Sequence, residues 1–273
     1  MKKLVILLAF IGSSVFSQSK EHKHSLQGIK KVRILSNTKI KVVATNTNSL
    51  LVKNYEKHSE NRHERIIYPR HSNNQNNQKK KEEKRKGLTA IYPGGKDNTN
   101  GFGFSITKEG NTLIVKDLKS RFQRNGIQFE LPKNINVFVD SGNLGSIDIE
   151  GFSSEIEADS NCGEINMKNV TGPITAHSSV GAITIDFSKV NQSSPISISS
   201  SVGEIDIAIP ASTKADLEIK TNKTVYTNFD VNIPTKEGLK NVSGSKRIIS
   251  TINNGGVQIK LISSMGDIYL RKK

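Results

Sequence analysis

The chain has 273 residues, a formal net charge of +15, one cysteine and no tryptophan. This length allows one elongated β domain or two small domains, and a lone cysteine excludes a disulfide framework. The charge is uneven: residues 1–96 hold 21 Lys and Arg against 6 Asp and Glu, whereas residues 140–210 hold 2 against 10. Few aromatic residues and abundant Ser, Asn and Ile fit stacked β-strands better than an enzyme that grips a ligand.

Residues 1–17 predict a signal peptide, because two lysines precede an apolar run over 4–11 and small residues follow up to Ser17. The run is too short to span a bilayer, which requires about 20 residues. We therefore expect a mature chain without a transmembrane segment that is exported to the periplasm, the cell surface or the medium.

Residues 18–53 contain strand-like runs at 31–35, 39–44 and 50–53, after which the apolar pattern stops. Residues 54–86 are rich in Asn, Gln, Lys and Arg, a composition that predicts a disordered basic loop. The loop could contact anionic lipid or polysaccharide, although most charge runs are simply solvated; an exported protein rarely meets nucleic acid. The cations with this possible role are Lys79, Lys80, Lys81, Lys84, Arg85 and Lys86.

Residues 87–273 form the predicted β-strand-repeat domain. It opens with a hairpin signal, strands at 102–108 and 112–116 around Glu109-Gly110-Asn111. Within it one phrase recurs five times, aligned on a glycine that is followed two residues later by isoleucine. The repeat-corner glycines are Gly145, Gly163, Gly181, Gly203 and Gly266, and the core isoleucines are Ile147, Ile165, Ile183, Ile205 and Ile268.

Two further positions of the repeat are apolar. The residue before each glycine is Leu144, Cys162, Val180, Val202 or Met265, and the residue seven before it is Phe138, Ile156, Ile174, Ile196 or Ile259. By its position in this series we expect Cys162 to be a small buried hydrophobe. A weaker copy replaces the glycine with Thr224 and places Tyr226 two residues later.

The glycine spacings of 18, 18 and 22 residues, followed by 63 or three times 21, predict an all-β fold: a β-solenoid, parallel β-helix-like, with coils of 18–22 residues. Each glycine suits a corner that needs positive φ or close backbone approach. An antiparallel β-sandwich with regular turns remains the alternative.

The main catalytic hypothesis concerns acidic side chains that point outward from the solenoid. In-register coils would align Asp148, Glu164, Glu204 and Asp206, as in a carbohydrate-active β-helix enzyme with paired carboxylates. We favour the reading that these acids keep a solenoid face soluble, because neither aromatic platforms nor a cluster of cations accompanies them within 140–210. We expect no catalytic, cofactor-binding or metal site; five of the six histidines lie near the mature terminus or in the basic loop, and His177 stands alone.

Several segments together resemble the DUF4097 family of exported, adhesin-type β-strand-repeat proteins of the Bacteroidetes. They include 87–92, the Leu131-Pro132 and Ile209-Pro210 pairs, the Ser-Ser-Val-Gly phrases and the ending from Asn254 to Lys272. The resemblance covers most of 87–273, departing at the long basic loop, Asn161-Cys162 and Thr224. It implies a β-solenoid envelope or surface protein without known catalysis, with an unidentified partner.

Overall fold

A computed structural model describes residues 20–55, 83–119, 126–231 and 246–273, which form 22 strands. The first half comprises β1 (Glu21–Ser25), β2 (Lys31–Leu35), β3 (Ile40–Thr45), β4 (Ser49–Tyr55), β5 (Ile91–Tyr92), β6 (Gly95–Lys96), β7 (Phe104–Glu109), β8 (Thr112–Asp117), β9 (Gly126–Pro132), β10 (Asn136–Asp140) and β11 (Ile147–Glu150). The second half comprises β12 (Ile156–Ser160), β13 (Ile165–Val170), β14 (Ile174–Ser178), β15 (Ile183–Phe187), β16 (Ile196–Ser200), β17 (Ile205–Ile209), β18 (Ala215–Thr221), β19 (Val225–Thr227), β20 (Lys246–Ile252), β21 (Val257–Ser263) and β22 (Ile268–Lys272).

The strands pair into two ten-stranded sheets and one small hairpin, β5–β6. Sheet 1 has the order β1-β4-β9-β3-β11-β13-β15-β17-β22-β19, and sheet 2 has the order β20-β18-β21-β16-β14-β12-β10-β2-β8-β7. Each coil supplies one strand to each sheet, and neighbouring coils pair in parallel. The predicted β-solenoid is therefore confirmed, and the parallel ladders exclude the antiparallel sandwich.

Coil order in space differs from coil order in the chain. The coil β2–β3 lies between β8–β9 and β10–β11, so strands from residues 18–53 belong to the same two sheets as the repeats. At the other end β21–β22 is inserted between β16–β17 and β18–β19. Gly203 and Gly266 consequently belong to adjacent coils, and the interval of 63 residues is not a stack of three.

Antiparallel strands cover most ends of the stack. The predicted hairpin is confirmed, since β7 pairs antiparallel with β8. Strand β4 covers β9 and is itself covered by β1, while β20 covers β18. An antiparallel strand at the end of the stack covers the edge of the parallel sheet, to which a strand of another chain could otherwise pair.

The interior is filled by side chains that alternate inward along each strand. The five core isoleucines of the repeat are all completely buried, and they stack on one another through the parallel register. One expected member of the second apolar series is wrong: Phe138 faces outward beneath the Arg33 guanidinium, and Val137 takes the inward place opposite Ile156. The corner after β10 is one residue longer than the others, which shifts the count by one.

The repeat-corner glycines are required by close backbone approach and not by positive φ. A Cβ atom on Gly163, Gly181, Gly203 or Gly266 would lie 1.7, 2.0, 2.1 or 2.2 Å from the carbonyl oxygen of the preceding corner glycine. Real Cβ atoms do not approach an oxygen so closely, so only glycine allows successive corners to stack.

A serine three residues before each of these glycines ties the corners together. The members are Ser160, Ser178, Ser200 and Ser263. Each hydroxyl accepts a hydrogen bond from the glycine N–H of its own coil at 2.8–2.9 Å and donates to the glycine carbonyl of the adjacent coil at 2.9–3.3 Å. Buried backbone groups at the corners are thereby paired, as burial requires.

The last coil departs from the predicted alignment. Val225, and not Tyr226, pairs with Ile268, because the corner before β19 is one residue shorter than the others. Tyr226 therefore points outward beside Tyr269 and is 51% exposed. Thr224 is not the equivalent of a corner glycine.

The glycine stack predicts that Gly181→Ala destabilises the fold by about 3 kcal/mol, because the new methyl group meets the Gly163 carbonyl and the two coils must separate. Urea unfolding followed by circular dichroism measures the change. Gly94→Ala is the matched control, since its Cβ would meet only Leu118 Cδ2 at an ordinary 3.6 Å. Equal stability of the two variants would contradict the close-approach argument.

Candidate functional site

An exposed apolar column runs along one corner of the solenoid. It consists of Leu144, Cys162, Val180, Val202 and Met265, hereafter the corner column. The exposed fractions of Leu144, Val180, Val202 and Met265 are 63, 50, 46 and 62%, and Cys162 is also exposed. Single exposed apolar side chains are common on proteins, but a contiguous row is a feature of interaction surfaces.

The expected burial of Cys162 is therefore wrong. Alternation explains the result: counted back by twos from an inward isoleucine such as Ile165, Gly163 is inward and the residue before it is outward. The apolar character of this position misled the prediction, whereas strict parity would have found the exposed column.

Backbone hydrogen bonds hold the column in register. Val180 N–H donates to Asn161 carbonyl at 2.9 Å, Val202 N–H to Ser179 carbonyl at 3.2 Å, and Met265 N–H to Ser201 carbonyl at 3.1 Å. Adjacent coils in such a ladder are about 4.8 Å apart. The side chains consequently form a rigid, nearly continuous apolar strip with five members.

Acidic residues flank the column on the sheet 1 side. In three of the coils the residue after the corner glycine is acidic. Glu164 and Glu204 are exposed, and Asp267 is half-buried. Ala182 separates Glu164 from Glu204, whereas Glu204 and Asp267 lie on directly adjacent coils. The column thus has a negatively charged border along one side.

The outward acids of the catalytic hypothesis are bound to cations or amides in two of the four cases. Lys39 Nζ lies 3.0 Å from Asp148 Oδ2, and Asn166 Nδ2 donates to Asp148 Oδ1 at 3.2 Å. Arg271 holds Asp206 with two hydrogen bonds, of 2.7 Å from Nε and 2.8 Å from Nη2. Lys39 and Arg271 thereby offset the charges of these two carboxylates.

The coil register also separates the two acids that share a position. Asp148 lies on β11 and Asp206 on β17, with β13 and β15 between them. Three ladder steps amount to about 14 Å, whereas glycosidase carboxyl groups stand about 5–9.5 Å apart. Asp148 and Asp206 therefore do not form such a pair.

The described histidines are His22, His24 and His177. No group of three or more His, Cys, Asp or Glu side chains within 20–55, 83–119, 126–231 and 246–273 is arranged to hold an ion. His177 Nδ1 lies 2.9 Å from Ser199 Oγ on the next coil. Burial, together with neighbouring His24, lowers the pKa of His22, while Asp97 opposes the shift. His58, His63 and His71 lie outside the described residues.

Half of the six residues of the predicted basic site lie in the part of the chain that the structure describes. The predicted signal peptide (1–17) and most of the predicted basic loop (56–82) lie outside the described residues, and so do Lys79, Lys80 and Lys81. Lys84 and Arg85 belong to a short helical turn at 83–85, and both they and Lys86 are exposed.

An aromatic patch at the far end of sheet 1 was not predicted. The rings of Tyr226 and Tyr269 stack with centroids 5.1 Å apart and planes 11° from parallel. Arg271 lies 5.3 Å from the Tyr269 ring centroid while it binds Asp206. Strand β22 lies between β17 and β19, and this position brings the two tyrosines, Arg271 and Asp206 together. The order of the repeats in the sequence does not reveal that these strands are neighbours.

Val180 faces outward and Ile183 faces inward, so substitutions at these two nearby positions should change stability to very different extents. Val180→Ser should change the free energy of unfolding by less than about 0.5 kcal/mol, because the side chain is half exposed. Ile183→Ala should cost about 3 kcal/mol, because its side chain is fully buried. Urea unfolding of both variants measures these free energies. A large loss of stability in Val180→Ser would indicate that the corner column belongs to the core.

No helix within the described ranges is long and apolar enough to cross a membrane. No curated protein sequence matches the chain. Among solved structures, it is similar to a candidate cell adhesion protein from Clostridium sporogenes (12% identity, TM-score 0.44, covering 94% of this chain and 100% of that one). It is also similar to a candidate adhesin from Bacteroides fragilis (12% identity, TM-score 0.34, covering 94% and 98%). The model of the family described as Toastrack DUF4097 matches residues 115–271. The chain therefore belongs to the Toastrack DUF4097 family.

Proposed function

We propose that this chain is a non-catalytic, exported, adhesin-like protein whose solenoid offers an extended binding surface to a component of the cell envelope or to a partner protein. The corner column is the observation that carries the proposal. Five coils each place an apolar side chain in water at the same position, although a polar residue there would leave the core unchanged. A binding surface accounts for that repetition.

The energy available from the column is modest. Complete burial of a Val, Leu or Met side chain contributes about 1.5–3 kcal/mol, so covering side chains that are already half buried contributes about 1 kcal/mol each. Association itself costs at least about 4 kcal/mol. The column alone therefore supports weak binding, which additional polar contacts or several simultaneous contacts would strengthen.

The basic loop is a second proposed contact. Its cations are concentrated over 79–86, at a distance in sequence from the acidic repeats. Attraction to anionic envelope material would act as an electrostatic tether and would weaken as salt screens charges beyond about 10 Å. The two contacts differ in their response to salt, which makes them separable.

A carbohydrate-active enzyme is the less favoured function. Two of its four proposed acids are engaged by Lys39 and Arg271, and Asp148 and Asp206 lie on coils that are not adjacent. Replacing Asp148, Glu164, Glu204 or Asp206 singly by its amide tests the alternative. Loss of turnover of a glycan by one or two of these variants would favour the enzyme over the binding protein.

The proposal predicts that serine substitutions at Leu144, Val180, Val202 and Met265 together reduce capture of the mature protein by its own cell-envelope fraction at least fivefold. Sedimentation of the protein with that fraction, across 50–500 mM salt, measures capture. The matched control carries serine at Leu88, Ile91 and Ile249, which are 74, 81 and 60% exposed and do not belong to the column. Equal capture of both variants and the wild type, or no capture of any, would contradict the proposed surface.

The tether predicts a different result for a second variant. Glutamine at Lys79, Lys80, Lys81, Lys84, Arg85 and Lys86 should reduce capture at 50 mM salt and have little effect at 500 mM, where screening has already removed the attraction. Circular dichroism should show an unchanged fold. Capture that does not depend on these six residues at low salt would remove the tether and leave the column as the sole proposed contact.

A further inference from the structure

The Tyr226–Tyr269 stack leaves one aromatic face uncovered. Parallel strands place the two rings on adjacent coils, with centroids 5.1 Å apart and planes 11° from parallel, so each ring stands edge-on to the sheet. Strand β19 is the last strand of sheet 1, and no strand within the described ranges pairs with its outer edge. The second face of the Tyr226 ring is therefore open, consistent with the 51% exposure of this side chain.

Backbone polar groups accompany that open ring. Thr224 carbonyl accepts a hydrogen bond from Ile268 N–H at 3.0 Å. Every second residue of a parallel strand bonds to the same neighbour, so the N–H and C=O of Val225 face away from β22. A ligand stacked on Tyr226 would find a donor and an acceptor beside the ring.

Charged side chains border the stack on its other side. Arg271 binds Asp206 with two hydrogen bonds, and the side chains of this pair are 56 and 32% exposed. The guanidinium retains further N–H donors, and the carboxylate retains further lone pairs. Together they offer donors and acceptors without net charge.

The local field disfavours an anionic ligand. Partial desolvation, with the carboxylates of Glu204 and Asp267, raises the pKa of the Tyr269 hydroxyl. Because Asp206 is paired with Arg271, the unpaired acids that act on the Tyr269 hydroxyl are Glu204 and Asp267, and they disfavour an anion at that hydroxyl. Phosphate, uronate and sulfate groups would be repelled there.

From this geometry we infer that Tyr226, Tyr269 and the Asp206–Arg271 pair form a binding site for a neutral glycan. A pyranose ring has an apolar face of C–H groups, which suits an aromatic ring, and a rim of hydroxyls that both donate and accept hydrogen bonds. Tyr269 lies between Tyr226 and the Asp206–Arg271 pair, so an oligosaccharide of several units, and not a single sugar, would contact both the open ring and the charged pair. The inference rests on the proposed binding function and adds a ligand class at a place distinct from the corner column.

Isothermal titration calorimetry of the mature protein, residues 18–273, with cellotetraose and with chitotetraose tests the inference. We expect one of these neutral tetrasaccharides to bind, Tyr226→Ala to weaken its binding at least tenfold, and Tyr226→Phe to stay within about threefold, because the ring and not the hydroxyl provides the stacking surface. Tyr92→Ala, on the separate β5–β6 hairpin, is the matched control and should bind as the wild type does.

Three outcomes would overturn the glycan site. They are no binding of either tetrasaccharide, equal binding by Tyr226→Ala and the wild type, and tighter binding of tetragalacturonate than of the neutral probes. Thermal unfolding establishes whether Tyr226→Ala is folded. If Tyr226→Ala is unfolded, a loss of binding by Tyr226→Phe well beyond threefold would overturn the site. Envelope capture that the corner-column variant loses and Tyr226→Ala retains would leave the proposed function standing while the glycan site fails.

Discussion

The solenoid depends on one close contact, between a glycine and the carbonyl oxygen of the glycine one coil below. At Gly163, Gly181, Gly203 and Gly266 there is no room for a Cβ atom. Serine hydroxyls then accept from the N–H of each of these glycines and donate to the carbonyl of the glycine on the adjacent coil, so these backbone groups are paired in a tight corner. With the corners stacked this closely, the strands on either side are held in register and the isoleucine columns follow.

The same tightness creates the exposed surface. A glycine that fits against the neighbouring coil faces inward, and the residue before it must then face outward. Nothing in the packing of the core requires that outward residue to be apolar. The apolar character of this position is therefore independent of core packing. For that reason we propose a role in binding for Leu144, Val180, Val202 and Met265.

The sequence was sufficient to predict the solenoid, because the glycine and isoleucine spacing reports directly on coil length. It was insufficient wherever a corner gained or lost one residue: the longer corner before Gly145 turned Phe138 outward, and the shorter one before β19 did the same to Tyr226. Coil insertion was also hidden, since period alone does not reveal which coil is the spatial neighbour. The aromatic patch depends on both effects, and for that reason it emerged only from the structure.

The inserted coils have a consequence for how the chain can assemble. Strand β2 pairs with β8 and β10, whose residues follow it by about 80 to 105 positions, and β18 finds its parallel neighbour only when β21 is available. Pairings of such long range make folding slow, and the stack is complete only after residues 257–273 have joined it. Loss of the last 17 residues would remove a rung from the interior of the stack, leaving β16 and β17 facing a gap. Residues 257–273 thus hold together coils that precede them in the chain.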